Sequence, residues 1–188
     1  MAIGKLILCS NTRKLKLWSK YDQVVVLDHP GARHLWRYEF SKIKVPFNVQ
    51  KTKSYESLLD LAKISKKSCI FIPGGNTFDL INSLDIEILK SIILKALSNG
   101  IDVVCESAGA IICGSDIRSA IIPAEGADSN DCGTRKLKTM SLIDLVVFPH
   151  YLEKNNKQIG LFLIENKKLG LLIKENELIS FNLKELKK

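Results

Sequence analysis

The chain has 188 residues, 46% of them hydrophobic and 26% charged, enough apolar material for one packed core and too much for wholesale disorder. Its net charge of +8 lies wholly in residues 1–53, where 11 Lys and Arg face 3 Asp and Glu, while the remainder balances at 17 against 17. No apolar run is long enough to span a bilayer, and the N-terminal one is too short for a secretory signal and has no basic lead, so a soluble cytoplasmic protein with no membrane partner is expected.

Residues 5–10 form a Leu- and Ile-rich run ending in Ser10-Asn11-Thr12, which reads as a strand followed by a turn. Residues 23–27 are a second such run, closed by the turn chemistry of Asp28-His29-Pro30-Gly31. Residues 47–49 suggest a short third strand. Residues 55–64 carry Leu58, Leu59, Ala62 and Ile64 at helical spacing, with Ser54 placed as an N-cap. A buried strand over 69–72 is stopped by Pro73-Gly74-Gly75. Helices follow over 77–83 and 86–97, the second ended by Asn99-Gly100, where glycine tolerates a left-handed cap.

Residues 101–105 form a strand that runs directly into Ser107-Ala108-Gly109-Ala110, a helix start. Residues 122–140 are polar and irregular. A strand over 145–148 ends at Pro149-His150, and a helix is predicted around 158–165. The last two runs, 169–173 and 178–182, read as a hairpin around Glu175-Asn176.

Strands separated by helical patterns predict a single α/β domain over residues 1–188, a mostly parallel sheet with helices on both faces. Ligands of such sheets bind beyond the carboxyl ends of the strands. The tips after residues 72, 105 and 148 carry Gly74-Gly75-Asn76, Glu106-Ser107-Ala108-Gly109 and Pro149-His150, and should meet on one rim.

Cys105-Glu106-Ser107-Ala108-Gly109 has the small–any–Ser–any–small form of a nucleophile elbow, with Cys105 where glycine is more usual. The sharp turn lifts the hydroxyl above the sheet, small neighbours let strand and helix backbones approach, and the Ala108 N–H becomes an oxyanion donor. The competing reading is a plain N-cap serine before small packing residues. His150, the sole histidine of the C-terminal two-thirds, favours the first reading, because a serine needs a base. His29 and His34 lie in the basic N-terminal stretch and are weaker candidates. Gly74 and Gly75 would form the second oxyanion wall. A phosphate-cradling loop is the rival, but neither G-x-G-x-x-G nor a Walker Lys-Ser/Thr pair is present.

The five cysteines (Cys9, Cys69, Cys105, Cys113, Cys132) form no C-x-x-C pair and read as reduced thiols of a reducing compartment. With three histidines and no paired ligand spacing, neither metal nor cofactor is expected. The basic N-terminal region has no aromatic stacking motif or known module beside it, so a solvated face or attraction of acidic substrates is preferred to nucleic-acid binding. Oligomeric state is left open.

Ile72-Pro-Gly-Gly-Asn-Thr-Phe-Asp-Leu, Glu106-Ser-Ala-Gly-Ala, Gly114-Ser-Asp-Ile and Phe148-Pro-His-Tyr, in this order, resemble the dipeptidase E and cyanophycinase family of serine peptidases. The resemblance runs from about residue 69 to residue 151 and implies a fold like the class I glutamine amidotransferases, which are flavodoxin-like, with Ser in place of their Cys nucleophile. It implies Ser107 as nucleophile, His150 as base, Gly75 and Ala108 as oxyanion donors, and Gly74 and Asn76 as substrate contacts.

For the third triad member the resemblance implies an acid between elbow and histidine. Asp128 is chosen there, with Asp131 and Glu125 as alternatives. Two departures stand out. The region before residue 69 is short and basic for the family, and no Arg follows His150, where the family's aspartyl dipeptidases hold an acidic substrate side chain. Lys154 and Lys157 lack that bidentate fork. Glu106 could receive a substrate ammonium, point to solvent or cap a backbone group.

The expected function is hydrolysis of short peptides through a Ser107 acyl-enzyme. The alternatives are an ester or amide hydrolase outside peptides, and a catalytically silent amidotransferase-like binding domain.

Overall fold

The computed structural model of the chain describes residues 3–12, 17–29, 31–32, 48–65, 67–122 and 127–186. Its strands are β1 Lys5–Cys9, β2 Gln23–Leu27, β3 Asn48–Thr52, β4 Ser68–Ile72, β5 Asp102–Glu106, β6 Val146–Phe148, β7 Gly170–Leu172 and β8 Leu178–Asn182. The helices are α1 Tyr55–Ala62, α2 Thr77–Ser83, α3 Ile86–Ser98, α4 Ala108–Ile111 and α5 Asn156–Glu165. Six strands form one sheet in the order β3-β2-β4-β5-β1-β8, and β6 pairs with β7 in a second, two-stranded sheet. Every pairing is parallel except β1 with β8.

Alternation along the strands divides the core in two, because successive side chains leave a strand on opposite faces. Leu6, Leu8, Val25, Leu27, Ile70, Ile72, Val103 and Cys105 face one side and pack under α1 to α4, through residues such as Leu58, Leu80, Leu89 and Ile111. Ile7, Cys9, Val24, Val26, Cys69, Phe71 and Val104 face the other. There the described cover is Leu17, Trp18, Tyr21 and Ala32 rather than a helix longer than the 3-10 turn Trp18–Lys20. Trp18 meets Phe71 edge-on at 5.1 Å between ring centroids, a geometry worth about 0.5–1.5 kcal/mol beyond the area it buries.

The predicted elements reappear with small shifts. The third strand runs from residue 48 to 52, and Phe47 lies outside the described residues. Ser54 makes no side-chain cap bond; its N–H is instead held by Thr52 Oγ1 at 3.0 Å. Gly100 takes a φ of +80° where α3 ends, as its left-handed role requires. The C-terminal hairpin is a correction. β7 pairs in parallel with β6, and β8 closes the edge of the main sheet antiparallel to β1. Each apolar run finds a strand partner of its own, and the link between them is left to carry Glu175 along the rim.

Candidate active site

Three parallel strand tips deliver the chemistry. β5 ends at Glu106, and Ser107 follows with φ +48° and ψ −110°, a conformation rare for any residue with a Cβ. The strain is held by bonds on both sides. Ser107 N–H donates to Cys9 O at 2.9 Å, and Ser107 O accepts from Ile111 N at 2.9 Å as α4 begins. Close packing makes small residues obligatory, since a Cβ on Gly109 would stand 2.5 Å from Ile72 O. Ala108, as the first residue of α4, has an N–H with no acceptor in its own helix.

His150 follows β6 and also has positive φ, +56°. Its backbone N–H donates to Ser10 Oγ at 2.9 Å, and that hydroxyl donates to Ile173 O at 2.8 Å, so the tips of β1, β6 and β7 are tied together. This anchoring sets His150 Nε2 2.9 Å from Ser107 Oγ. His150 Nδ1 bonds Glu175 Oε1, and the same carboxylate accepts from Asn11 Nδ2 through Oε2. A carboxylate is acceptor-only when ionised, so Nδ1 carries the hydrogen and Nε2 presents its lone pair to the serine hydroxyl. That tautomer is the one a base requires.

The acidic candidates of the polar segment lie elsewhere. Asp128 is not brought to His150, whose two ring nitrogens are taken by Ser107 and Glu175. Asp128 Oδ2 accepts from Thr77 N at 2.8 Å and from Thr77 Oγ1 at 2.5 Å, at the start of α2. Its own N–H donates to Ala120 O at 2.9 Å, which lays residues 127–131 across that helix start instead of along the histidine. Asp131 accepts from Ser129 Oγ at 2.6 Å. Glu125 and His34 lie outside the described residues.

The substrate-facing expectations are redistributed too. Asn76 is buried and caps α2, its Oδ1 accepting from Phe78 N at 2.9 Å and Asp79 N at 3.1 Å while Nδ2 donates to Ser129 O at 2.9 Å. Glu106 is buried as well. Its Oε1 accepts from Thr12 N at 2.8 Å and Thr12 Oγ1 at 3.1 Å, and its Oε2 accepts from Gly74 N at 3.3 Å. It thus caps backbone groups, one of the three roles expected of it. Gly74 lies against Ser107, where a Cβ would meet Ser107 Cβ at 2.9 Å. Gly75 takes φ +149°, and a Cβ there would fall 1.7 Å from Gly31 O. Its N–H has no hydrogen-bond partner among the described residues. Lys154 and Lys157 are exposed on the turn and helix that follow His150.

Cys105 sits two residues before the serine, but it is wholly buried, and burial first, then Cys113 and Cys9, pushes its thiol well above the ordinary range. It cannot supply a thiolate. Cys9, Cys69 and Cys113 are likewise buried, Cys132 is exposed, and none of them forms a disulfide. Among the described residues no group of His, Cys, Asp and Glu could hold a metal, and no helix is long and apolar enough to cross a membrane.

Two segments that touch the Ser107–His150 pair or its neighbours carry no site expectation from the sequence. In the sequence Glu175 reads as a turn residue, and Ser10-Asn11-Thr12 as a turn after β1. The signal was the strand-tip rule itself, which applies to β1 and β7 as much as to β4, β5 and β6.

Comparison with known proteins bears on the family and the fold. An uncharacterized peptidase of Listeria monocytogenes, Lmo0363, is 30% identical over 105 residues, which cover 55% of this chain and 50% of that protein. The matched region therefore spans half the length of that curated relative. The crystal structure of a putative peptidase E protein from Listeria monocytogenes EGD-e superposes with a TM-score of 0.69 at 20% identity, over 99% of this chain and 98% of that one. A peptidase from an acI-B1 Actinobacterium gives a TM-score of 0.58 at 15% identity, over 96% of this chain and 84% of its own. At these identities the likeness fixes the fold, and the sequence pattern of the family decides membership. That pattern matches residues 37–188, and the chain belongs to peptidase family S51.

Proposed function

We propose that the protein is a serine peptidase acting on short peptides, with Ser107, His150 and Glu175 as its catalytic triad. The observation that carries this reading is the contact of His150 Nε2 with Ser107 Oγ at 2.9 Å on a strained elbow, with a carboxylate on the other ring nitrogen. Family membership supports peptides as the substrate class.

The steps follow from the atoms. His150 Nε2 takes the hydroxyl proton as Ser107 Oγ bonds to the scissile carbonyl carbon, and Glu175 stabilises the imidazolium that forms. The carbonyl oxygen, now negative, receives hydrogen bonds from the N–H of Gly75, in the loop before α2, and from that of Ala108, at the start of α4. His150 returns the proton to the leaving amine, the C–N bond breaks, and an acyl-enzyme remains. Water enters by the same route in reverse, with His150 again as base. Buried cysteines outside any disulfide at Cys9, Cys69, Cys105 and Cys113 fit a reducing compartment such as the cytoplasm.

Incubation with a panel of aminoacyl-nitroanilides, dipeptides and simple esters tests the reading. Hydrolysis of one or more peptide-like members, abolished by Ser107→Ala, is expected. Turnover restricted to esters would move the assignment to a non-peptide hydrolase.

A further inference from the structure

One peptide unit in the oxyanion wall is gripped at both of its polar ends by buried side chains. Its N–H, that of Gly74, donates to Glu106 Oε2 at 3.3 Å. Its C=O, that of Pro73, faces His29 Nε2 at 3.3 Å. A carbonyl can only accept, so His29 holds its hydrogen on Nε2, and Nδ1 is left as a bare acceptor. That atom is buried without a hydrogen-bond partner among the described residues, in a side chain only 5% exposed. Such an arrangement costs desolvation.

The surroundings explain what the grip achieves. Beyond the held unit, the next N–H is that of Gly75, the proposed oxyanion donor, and the one after it, Asn76 N–H, is fixed to Gly31 O at 2.9 Å. Gly75 therefore lies between two immobilised amides, and its direction is set by them. Glu106 reaches further, since its second oxygen holds Thr12 at the tip of β1. The carboxylate preceding the nucleophile thus couples the elbow, the glycine loop and the β1 tip.

We propose that His29 and Glu106 are positioning residues that clamp the Pro73–Gly74 peptide and thereby aim the Gly75 N–H at the developing oxyanion. This rests on the serine-hydrolase reading for its catalytic consequence, but the clamp itself has a readout that needs no turnover. Glu106→Gln is nearly isosteric, yet an amide can accept on one side only, so either Thr12 or Gly74 loses its acceptor. His29→Leu removes the donor, whereas His29→Gln can return an N–H to the same carbonyl.

Two measurements decide it. The first is amide hydrogen exchange of residues 74–76 by mass spectrometry. The second is phosphonylation of Ser107 by a fluorophosphonate, separated into its saturating rate and its half-saturation concentration. The saturating rate should fall at least about fivefold in His29→Leu and in Glu106→Gln, part of the loss seen when an oxyanion donor is removed outright. Half-saturation should stay within about twofold, His29→Gln should recover most of the rate, and exchange at residues 74–76 should quicken in the first two variants only. Unchanged exchange in both of those variants overturns the clamp, as does a His29→Gln protein as slow as His29→Leu. If His29→Leu does not fold, Glu106→Gln and His29→Gln carry the test alone. Failure of wild-type labelling with exchange behaving as stated would instead overturn the hydrolase reading and leave the clamp standing.

Discussion

Replacing Glu175 by Gln separates the triad read from the geometry from the one expected from the chain order. The amide can offer its NH2 to His150 Nδ1, which moves the ring hydrogen to Nε2 and points it at Ser107 Oγ, so the base is lost to the wrong tautomer. Two contributions set the size. Losing a hydrogen bond to a charged partner costs about 1.5–3 kcal/mol, and losing an imidazolium–carboxylate attraction at an effective dielectric between protein surface and water costs about 1–4 kcal/mol. The His150 and Glu175 side chains are 40% and 43% exposed, so water relieves both and the lower halves of these ranges apply. Together they amount to about 3–4 kcal/mol, or roughly 10²–10³ in rate. The assay is the saturating rate of nitroanilide hydrolysis, or of fluorophosphonate labelling if no substrate is found. Asp128→Asn is the control. Its oxygen can still accept from Thr77, so it should cost about 0.5–1.5 kcal/mol of stability and leave the rate within about threefold. A Glu175→Gln protein within threefold of wild type, beside an Asp128→Asn protein slowed a hundredfold, would refute the reasoning.

Three further outcomes follow from the same geometry. Burial, against the Pro73 carbonyl and the charges of Asp28 and Asp79, lowers the His29 pKa from 6.5 to about 4. The unfolded chain therefore binds a proton there before the folded one does. Stability should be fully present above pH 6.5 and fall toward pH 4 by up to ~1.4 kcal/mol per pH unit, and denaturant titrations of His29→Gln should lack that component. Ser10→Ala removes the hydroxyl that serves both His150 N and Ile173 O; a loss of about 1–3 kcal/mol in urea and a lower saturating rate are expected. Gly109→Ala places a methyl 2.5 Å from Ile72 O, so the backbone must move at a cost of about 1–3 kcal/mol, read as a drop of several degrees in Tm.

Much of the fold was legible because the strands are short apolar runs bounded by turn residues, and a parallel sheet with its ligands at strand tips follows from their alternation with helices. The meeting of Ser107 with His150 was legible for the same reason, since the elbow needs small residues at fixed spacing and the histidine follows a strand end. The acid was not. Asp128 and Glu175 are both carboxylates in polar connections, and nothing local says which one lands on His150. That is decided by long-range bonds, Asp128 to Thr77 and Asn11 to Glu175, across 51 and 164 residues of chain. Asn76 misled in the opposite way, because a polar side chain beside a glycine loop can serve a substrate or cap the next helix, and here its bonds go to α2 and Ser129. The hairpin failed because periodicity identifies a strand but not its partner, and β7 and β8 each pair with a strand distant in sequence.

Covalent labelling of the wild-type protein with a fluorophosphonate, followed by intact mass and peptide mapping, tests the central claim most directly. A single adduct on Ser107, absent in Ser107→Ala and slowed at least about a hundredfold in His150→Ala, is the predicted result. No adduct at neutral to alkaline pH, or one that persists in Ser107→Ala, would contradict it.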